Sequence, residues 1–193
     1  FRLMKRIGIL GDIGSGKTYV AKCFGFPVFN ADLEVAKIYK SEKKVFKKLK
    51  KELPQNFNSF PIKKSEIIDA ILSNQKNLKK IIKIVHEEVR KKMNNFLKKN
   101  KHKKLVVLDI PLLLENKINK KKDILIFVES KKLEILKRLK KRENFNNKLL
   151  KKFKSIQLPL DYKKRRSHFT IKNDFSKKSL KKSIRLILIK ILR

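Results

Sequence analysis

Gly11, Asp12, Ile13, Gly14, Ser15, Gly16, Lys17 and Thr18 match the spacing G-x-x-x-x-G-K-[ST], which cradles phosphate when it lies between a strand and a helix. The apolar run RIGIL (Arg6 to Leu10) precedes it, and TYVAKCF continues with helical spacing after Lys17, so that context is present. Glycines let backbone N–H groups turn inward around phosphate oxygens, and the helix N-terminus adds partial positive charge. Lys17 has the type and place to reach the β and γ phosphates, and Thr18 supplies a hydroxyl ligand for Mg²⁺. ATP or GTP binding follows. The spacing alone leaves kinase, GTPase, helicase and transport ATPase open.

The elements that must hold this loop are legible in outline. FPVFN (Phe26 to Asn30) reads as a second strand, with Asp32 at its junction with an amphipathic helix over Ala31 to Tyr39. Helical periodicity dominates from Ser41 to Asn100, broken by LPQNFNSFP, after which Ser65 is placed to cap the next helix. KLVVLDI (Lys104 to Ile110) and DILIFVE (Asp123 to Glu129) are continuous apolar runs, the pattern of parallel strands buried on both faces, and HFTI (His168 to Ile171) reads as a fifth strand. Lys131 to Arg142 and Asn146 to Gln157 read as basic helices, joined by ENFNN as a hinge. Leu180, Ile184, Ile187, Leu188 and Ile191 form the stripe of a last helix. Strands alternating with helices predict an α/β sheet with right-handed crossovers.

At 193 residues, one domain with an inserted subdomain is expected. The 54 Lys and Arg against 17 Asp and Glu give a formal charge of +37, which favours polyanionic partners, from nucleotides to nucleic acid or an anionic membrane. The competing reading is a lysine-rich coding bias that decorates solvated helix faces. The single cysteine, Cys23, excludes an intrachain disulfide and suits a reducing compartment and core packing. No stretch approaches the ~20 apolar residues of a membrane span, and the chain runs into KRIGIL without a cleavable signal pattern. A cytoplasmic protein is the expectation.

GDIGSGKT, FPVFNAD, VHEEVR, VVLDIPLLLE, LKRLKKRENF and SIQLPLDYKKRRSHFTIKND occur in the order of the landmarks of the dephospho-coenzyme A kinase family, which the chain resembles over nearly its whole length. The pairing of NAD after the second strand with LDIPLLLE after the third is the least generic part. The resemblance implies a P-loop NTPase fold, a five-stranded parallel sheet flanked by helices, like the nucleoside monophosphate kinases. It implies phosphorylation of the ribose 3′-hydroxyl of dephospho-coenzyme A with ATP and Mg²⁺, the last step of coenzyme A biosynthesis. The expected partners are these small molecules, with no specific nucleic acid and no membrane, and the expected state is a monomer. The implied layout is one kinase domain over residues 1–193, with core segments at about 1–40, 101–135 and 167–193. A helical acceptor-binding insertion is expected at about 41–100 and a lid at about 136–166.

Residue by residue, the resemblance assigns Asp32 to activating the acceptor hydroxyl, chemistry for which a carboxylate is suited. The first acidic residue of that family segment is Asn30 here, which removes a charge and leaves Asp32 as the base. Asp109, at the carboxyl edge of the third strand, is placed to bind Mg²⁺ or orient the acceptor. Pro111, Leu112 and Leu113 match an acceptor-side wall, with core packing as the alternative for both leucines, and Glu115 orders the loop beyond. His86 matches an acceptor-side histidine, although Glu87 replaces the family's proline. Arg138 and Arg142, four apart on one predicted helix face, match lid arginines that neutralise the transferring phosphoryl group. Gln157, Lys163 and Asn173 match later positions, Asn173 at the adenine edge, and Lys63 and Lys64 either meet acceptor phosphate or are solvated.

Three rivals stay open on sequence alone. A nucleoside or nucleoside monophosphate kinase shares the loop, lid and helical acceptor region. A nucleic-acid-binding P-loop ATPase is motivated by the charge of +37, against which stands the absence of RRM, KH or zinc-finger signatures. A degenerate scaffold would not be expected to keep Lys17, Thr18, Asp32 and Arg142.

Overall fold

The computed structural model describes residues 4–142 and 145–193. The elements run β1 (Lys5–Gly11), α1 (Lys17–Cys23), β2 (Val28–Asn30), α2 (Ala31–Ser41), α3 (Lys43–Glu52), α4 (Lys64–Ser73), α5 (Asn77–Lys99), β3 (Leu105–Asp109), β4 (Ile124–Glu129), α6 (Lys132–Lys140), α7 (Asn147–Ser155), α8 (Leu160–Arg165), β5 (Phe169–Lys172) and α9 (Lys177–Leu192). They divide into two compact units. The first comprises Phe1–Asn30, Asn100–Phe145 and Gln157–Arg193; the second comprises Ala31–Lys99 and Asn146–Ile156.

The first unit holds the sheet, with five parallel strands in the order β2-β3-β1-β4-β5. The apolar runs of β1, β3 and β4 are buried almost end to end, because helices cover both faces of a parallel sheet. Ile7, Ile9, Val107, Ile126 and Val128 pack with Val20 and Ala21 of α1 and with Leu180, Ile184, Ile187 and Ile191 of α9. That is the stripe expected for the last helix, with Leu188 only partly buried and Cys23 packed at the margin of the same core. Each fully buried isoleucine contributes about 1.5–3 kcal/mol. Parallel register aligns the strand ends: Asn30 pairs with Asp109, and Gly11 with Val128. The carboxyl edge of the sheet therefore collects the polar residues that follow each apolar run.

The second unit has its own core, including Ile38, Leu49, Phe57, Ile71, Ile81 and Val85. Its cap differs from the expectation. Ser65 lies inside α4, and the helix start is instead organised by Glu66, which accepts from the backbone N–H groups of Asn58 at 2.8 Å, Ser59 at 3.0 Å and Lys63 at 3.2 Å. The longer carboxylate side chain reaches back over the turn, where a serine one position earlier does not.

Arg142 also departs from the expectation of a shared helix face with Arg138. Helix α6 ends at Lys140, and the Arg142 N–H bonds the Leu139 carbonyl in a tighter turn beyond it. The hinge expected at ENFNN begins at Glu143 and Asn144, which lie outside the described residues, as do the first three of the chain. Among the described residues no helix is long and apolar enough to cross a membrane.

Candidate active site

The phosphate loop fills the turn between β1 and α1 and depends on left-handed glycines. Gly14 has φ of 85° and lies under Ile135 and Leu139 of α6; a Cβ there would come within 3.0 Å of the Leu139 side chain. Gly16 has φ of 89°, and a Cβ there would meet the Asn173 amide nitrogen at 2.5 Å. Both the turn and the close approach demand glycine. Lys17 lies across the loop, its Nζ donating to the Asp12 carbonyl at 2.7 Å and to that of Gly11 at 3.3 Å. The Asp12 carboxylate accepts from the Ile13 N–H at 2.7 Å. Ser15 is buried, and its carbonyl accepts from Ser130 Oγ at 2.9 Å and Asn173 Nδ2 at 2.9 Å.

Beside the loop, Asp109 Oδ2 accepts from the Thr18 hydroxyl at 2.6 Å and from the Asn30 amide at 2.6 Å. Asp109 is only 3% exposed, and burial pushes its carboxyl above the ordinary aspartate value, against the lowering pull of Thr18, Lys17 and Asn30. A threonine hydroxyl next to a carboxylate is a hard oxygen donor set, which suits Mg²⁺, an ion that takes one or two carboxylates and completes its shell with water and phosphate oxygens. No cluster of three or more His, Cys, Asp or Glu fit for a metal occurs among the described residues.

On the acceptor side of the assignment, the loop after β3 carries half-exposed Pro111 and buried Leu112 and Leu113. Leu113 lies over Gly8 of β1, where a Cβ would come within 2.5 Å of it, so this leucine is part of the unit's interior. Glu115 ties this loop to the chain near α8, accepting from the Leu158 N–H at 3.0 Å and pairing with buried Lys163 at 2.6 Å. Half-buried Gln157 precedes that contact. Arg138 stacks 4.1 Å over the ring of Phe175, and Arg142 is exposed.

In the second unit, Asp32 is exposed in the first turn of α2, two residues along the chain from Asn30. His86 is half-buried on α5, and burial, with Arg90 adding to it, holds its imidazole below the usual value. Lys63 and Lys64 are exposed at the start of α4.

Residues 5–179 match the family model described as dephospho-CoA kinase. The chain belongs to the dephospho-CoA kinase family. A relative so named from Wolbachia sp. subsp. Brugia malayi is 34% identical over 176 residues, covering 89% of this chain and 90% of its own. Among solved structures, a Thermus thermophilus protein superposes with a TM-score of 0.78 at 25% identity, covering 97% of each chain. A dephospho-CoA kinase from Campylobacter jejuni shares the fold with a TM-score of 0.62 at 19% identity, again covering 97% of each chain. Membership in the dephospho-CoA kinase family makes the protein a P-loop kinase, a transferase that uses ATP, and selects that reading over the ATPase and scaffold alternatives.

Sequence reasoning missed Ser130 and Phe175. Ser130 had a weak positional signal, as the first residue after a buried strand at the sheet's carboxyl edge. Phe175 had none, because its role beside Gly16 depends on a left-handed φ of 63°.

Proposed function

We propose that the phosphate loop holds the β and γ phosphates of ATP through its inward N–H groups and Lys17, while Asp32 takes the proton of the acceptor ribose 3′-hydroxyl. The reaction is that of the family, ATP-dependent conversion of dephospho-CoA to CoA in coenzyme A biosynthesis. The observation that carries the site reading is the Thr18 hydroxyl on Asp109 Oδ2 at 2.6 Å, beside Lys17 at the carboxyl edge of the sheet.

Thr18 and Asp109 would hold Mg²⁺, which would supply positive charge to offset that of the phosphates. Lys17, now satisfied by two loop carbonyls, is positioned to exchange these for phosphate oxygens. Arg138 and Arg142, in the proposed lid at about residues 136–166, add positive charge where the transferring group develops negative charge. Pro111, Leu112 and His86 serve the acceptor from the loop after β3 and from the proposed acceptor-binding helices at about 41–100, while Leu113 backs that loop from the interior and Asn173 serves the nucleotide side through its bond to the phosphate loop. Catalysis is then mostly positioning and electrostatics, with water excluded as the lid closes. One thiol, Cys23, fits a reducing compartment, so we place the reaction in the cytoplasm, carried out by a monomer.

A phosphoryl-transfer assay with product identification tests this directly. Dephospho-CoA should be phosphorylated at the 3′-hydroxyl in preference to AMP, CMP and free nucleosides. Equal or greater turnover of any of those acceptors would overturn the assignment.

A further inference from the structure

We infer that Ser130 and Asn173 are positioning residues for phosphate binding, acting together on the Ser15 carbonyl to aim the Gly16 N–H into the cradle. A trans peptide is planar, with its C=O and N–H on opposite sides. Fixing the Ser15 oxygen therefore fixes the direction of the Gly16 N–H. Two donors, Ser130 Oγ and Asn173 Nδ2, each 2.9 Å away, hold that oxygen, and a carbonyl has lone pairs for both. They come from the ends of neighbouring strands β4 and β5, so the sheet itself sets the peptide plane.

The anchor is itself anchored. Asn173 is 3% exposed, its backbone N–H bonds the Glu129 carbonyl at 2.7 Å, and its Oδ1 accepts from the Phe175 N–H at 3.1 Å. The amide is thereby engaged by backbone at both ends, which fixes its orientation and leaves Nδ2 to Ser15. The same nitrogen occupies the space a Cβ on residue 16 would need, so the glycine and the asparagine form one device. Asn173 acts through Ser15 rather than on the nucleotide.

This inference rests on the reading of the loop as the ATP cradle, and the experiment separates the two. Steady-state kinetics and fluorescent-nucleotide binding would compare Ser130→Ala, Asn173→Ala, the double variant, Ser130→Thr and Lys17→Ala, with thermal unfolding as a fold control. Each alanine variant should weaken ATP about fivefold, the equivalent of one hydrogen bond, with the KM for dephospho-CoA unchanged. The double variant should lose more than either single one, and Ser130→Thr, which keeps the hydroxyl, should restore ATP binding. If Asn173→Ala does not fold, Ser130→Ala and its threonine rescue decide the matter alone. Unchanged ATP affinity in the alanine variants, or an equal rise in both KM values, overturns the clamp. Unchanged ATP binding in Lys17→Ala overturns the cradle reading itself.

Discussion

The Thr18 hydroxyl donates to Asp109 Oδ2 at 2.6 Å, tying the first turn of α1 to the end of β3 across 91 residues of sequence. The bond exists because β1 and β3 are adjacent parallel strands, so the loop and helix leaving β1 lie beside the end of β3. Asn30 closes the group from the other side, donating to the same oxygen. An aspartate at position 30 would bring a second carboxylate against Asp109; the amide instead lowers the local negative charge and supplies a donor.

Asp109→Asn removes the charge while keeping an oxygen that Thr18 can bond. Activity should fall about 10–100-fold, as when the surroundings of a metal site are altered, and more Mg²⁺ should be needed to saturate it. A magnesium titration at saturating ATP checks this, and an unchanged half-saturation point would remove Asp109 from the metal's surroundings.

Asp32→Asn should lower kcat about 10²–10⁴-fold with little change in nucleotide affinity, because a general base acts only in the chemical step. Near-normal turnover would mean that Asp32 merely favours the N-terminus of α2, where its charge meets the helix dipole.

For Arg142→Ala the expected loss is in kcat, roughly 10³-fold, with ATP binding largely retained, since the guanidinium is assigned to charge that develops in the transition state. Arg142→Lys should recover little of it, because a point charge does not reproduce the guanidinium fork. Single-turnover phosphoryl transfer measures both, and a loss confined to ATP binding would assign the arginine to the ground state.

Glu66 gives a prediction about stability and pH. Burial alone would raise its carboxyl, but hydrogen bonds from Asn58, Lys63 and Ser59 hold it below the usual glutamate value. A depressed folded value means that the unfolded chain binds the proton more readily. The stabilisation is therefore complete above the unfolded glutamate value and fades as pH falls through the folded one. Glu66→Gln should cost about 1 kcal/mol near neutral pH, like the loss of a helix cap, and the difference from the parent should shrink near pH 3. Urea unfolding at the two pH values reads it, and a difference independent of pH would show that the charge is irrelevant.

The phosphate loop, the apolar strands and the stripe of α9 are legible in the sequence, because glycine spacing and continuous or periodic hydrophobicity are local signals. It also carried the family, through landmarks whose order survives a lysine-rich surface. Tertiary structure decided what those signals cannot encode. Helix α6 stops at Lys140, so Arg142 leaves the face predicted for it, because the chain closes a tighter turn after Leu139. Glu66 rather than Ser65 organises the start of α4, because its reach to Asn58 and Ser59 depends on how the preceding loop folds back. The partnership of Ser15 with Ser130 and Asn173, 115 and 158 residues away, follows only from strand order. A parallel sheet brings its strand ends to one edge, so residues remote in the chain become neighbours there, and no local pattern records which ones.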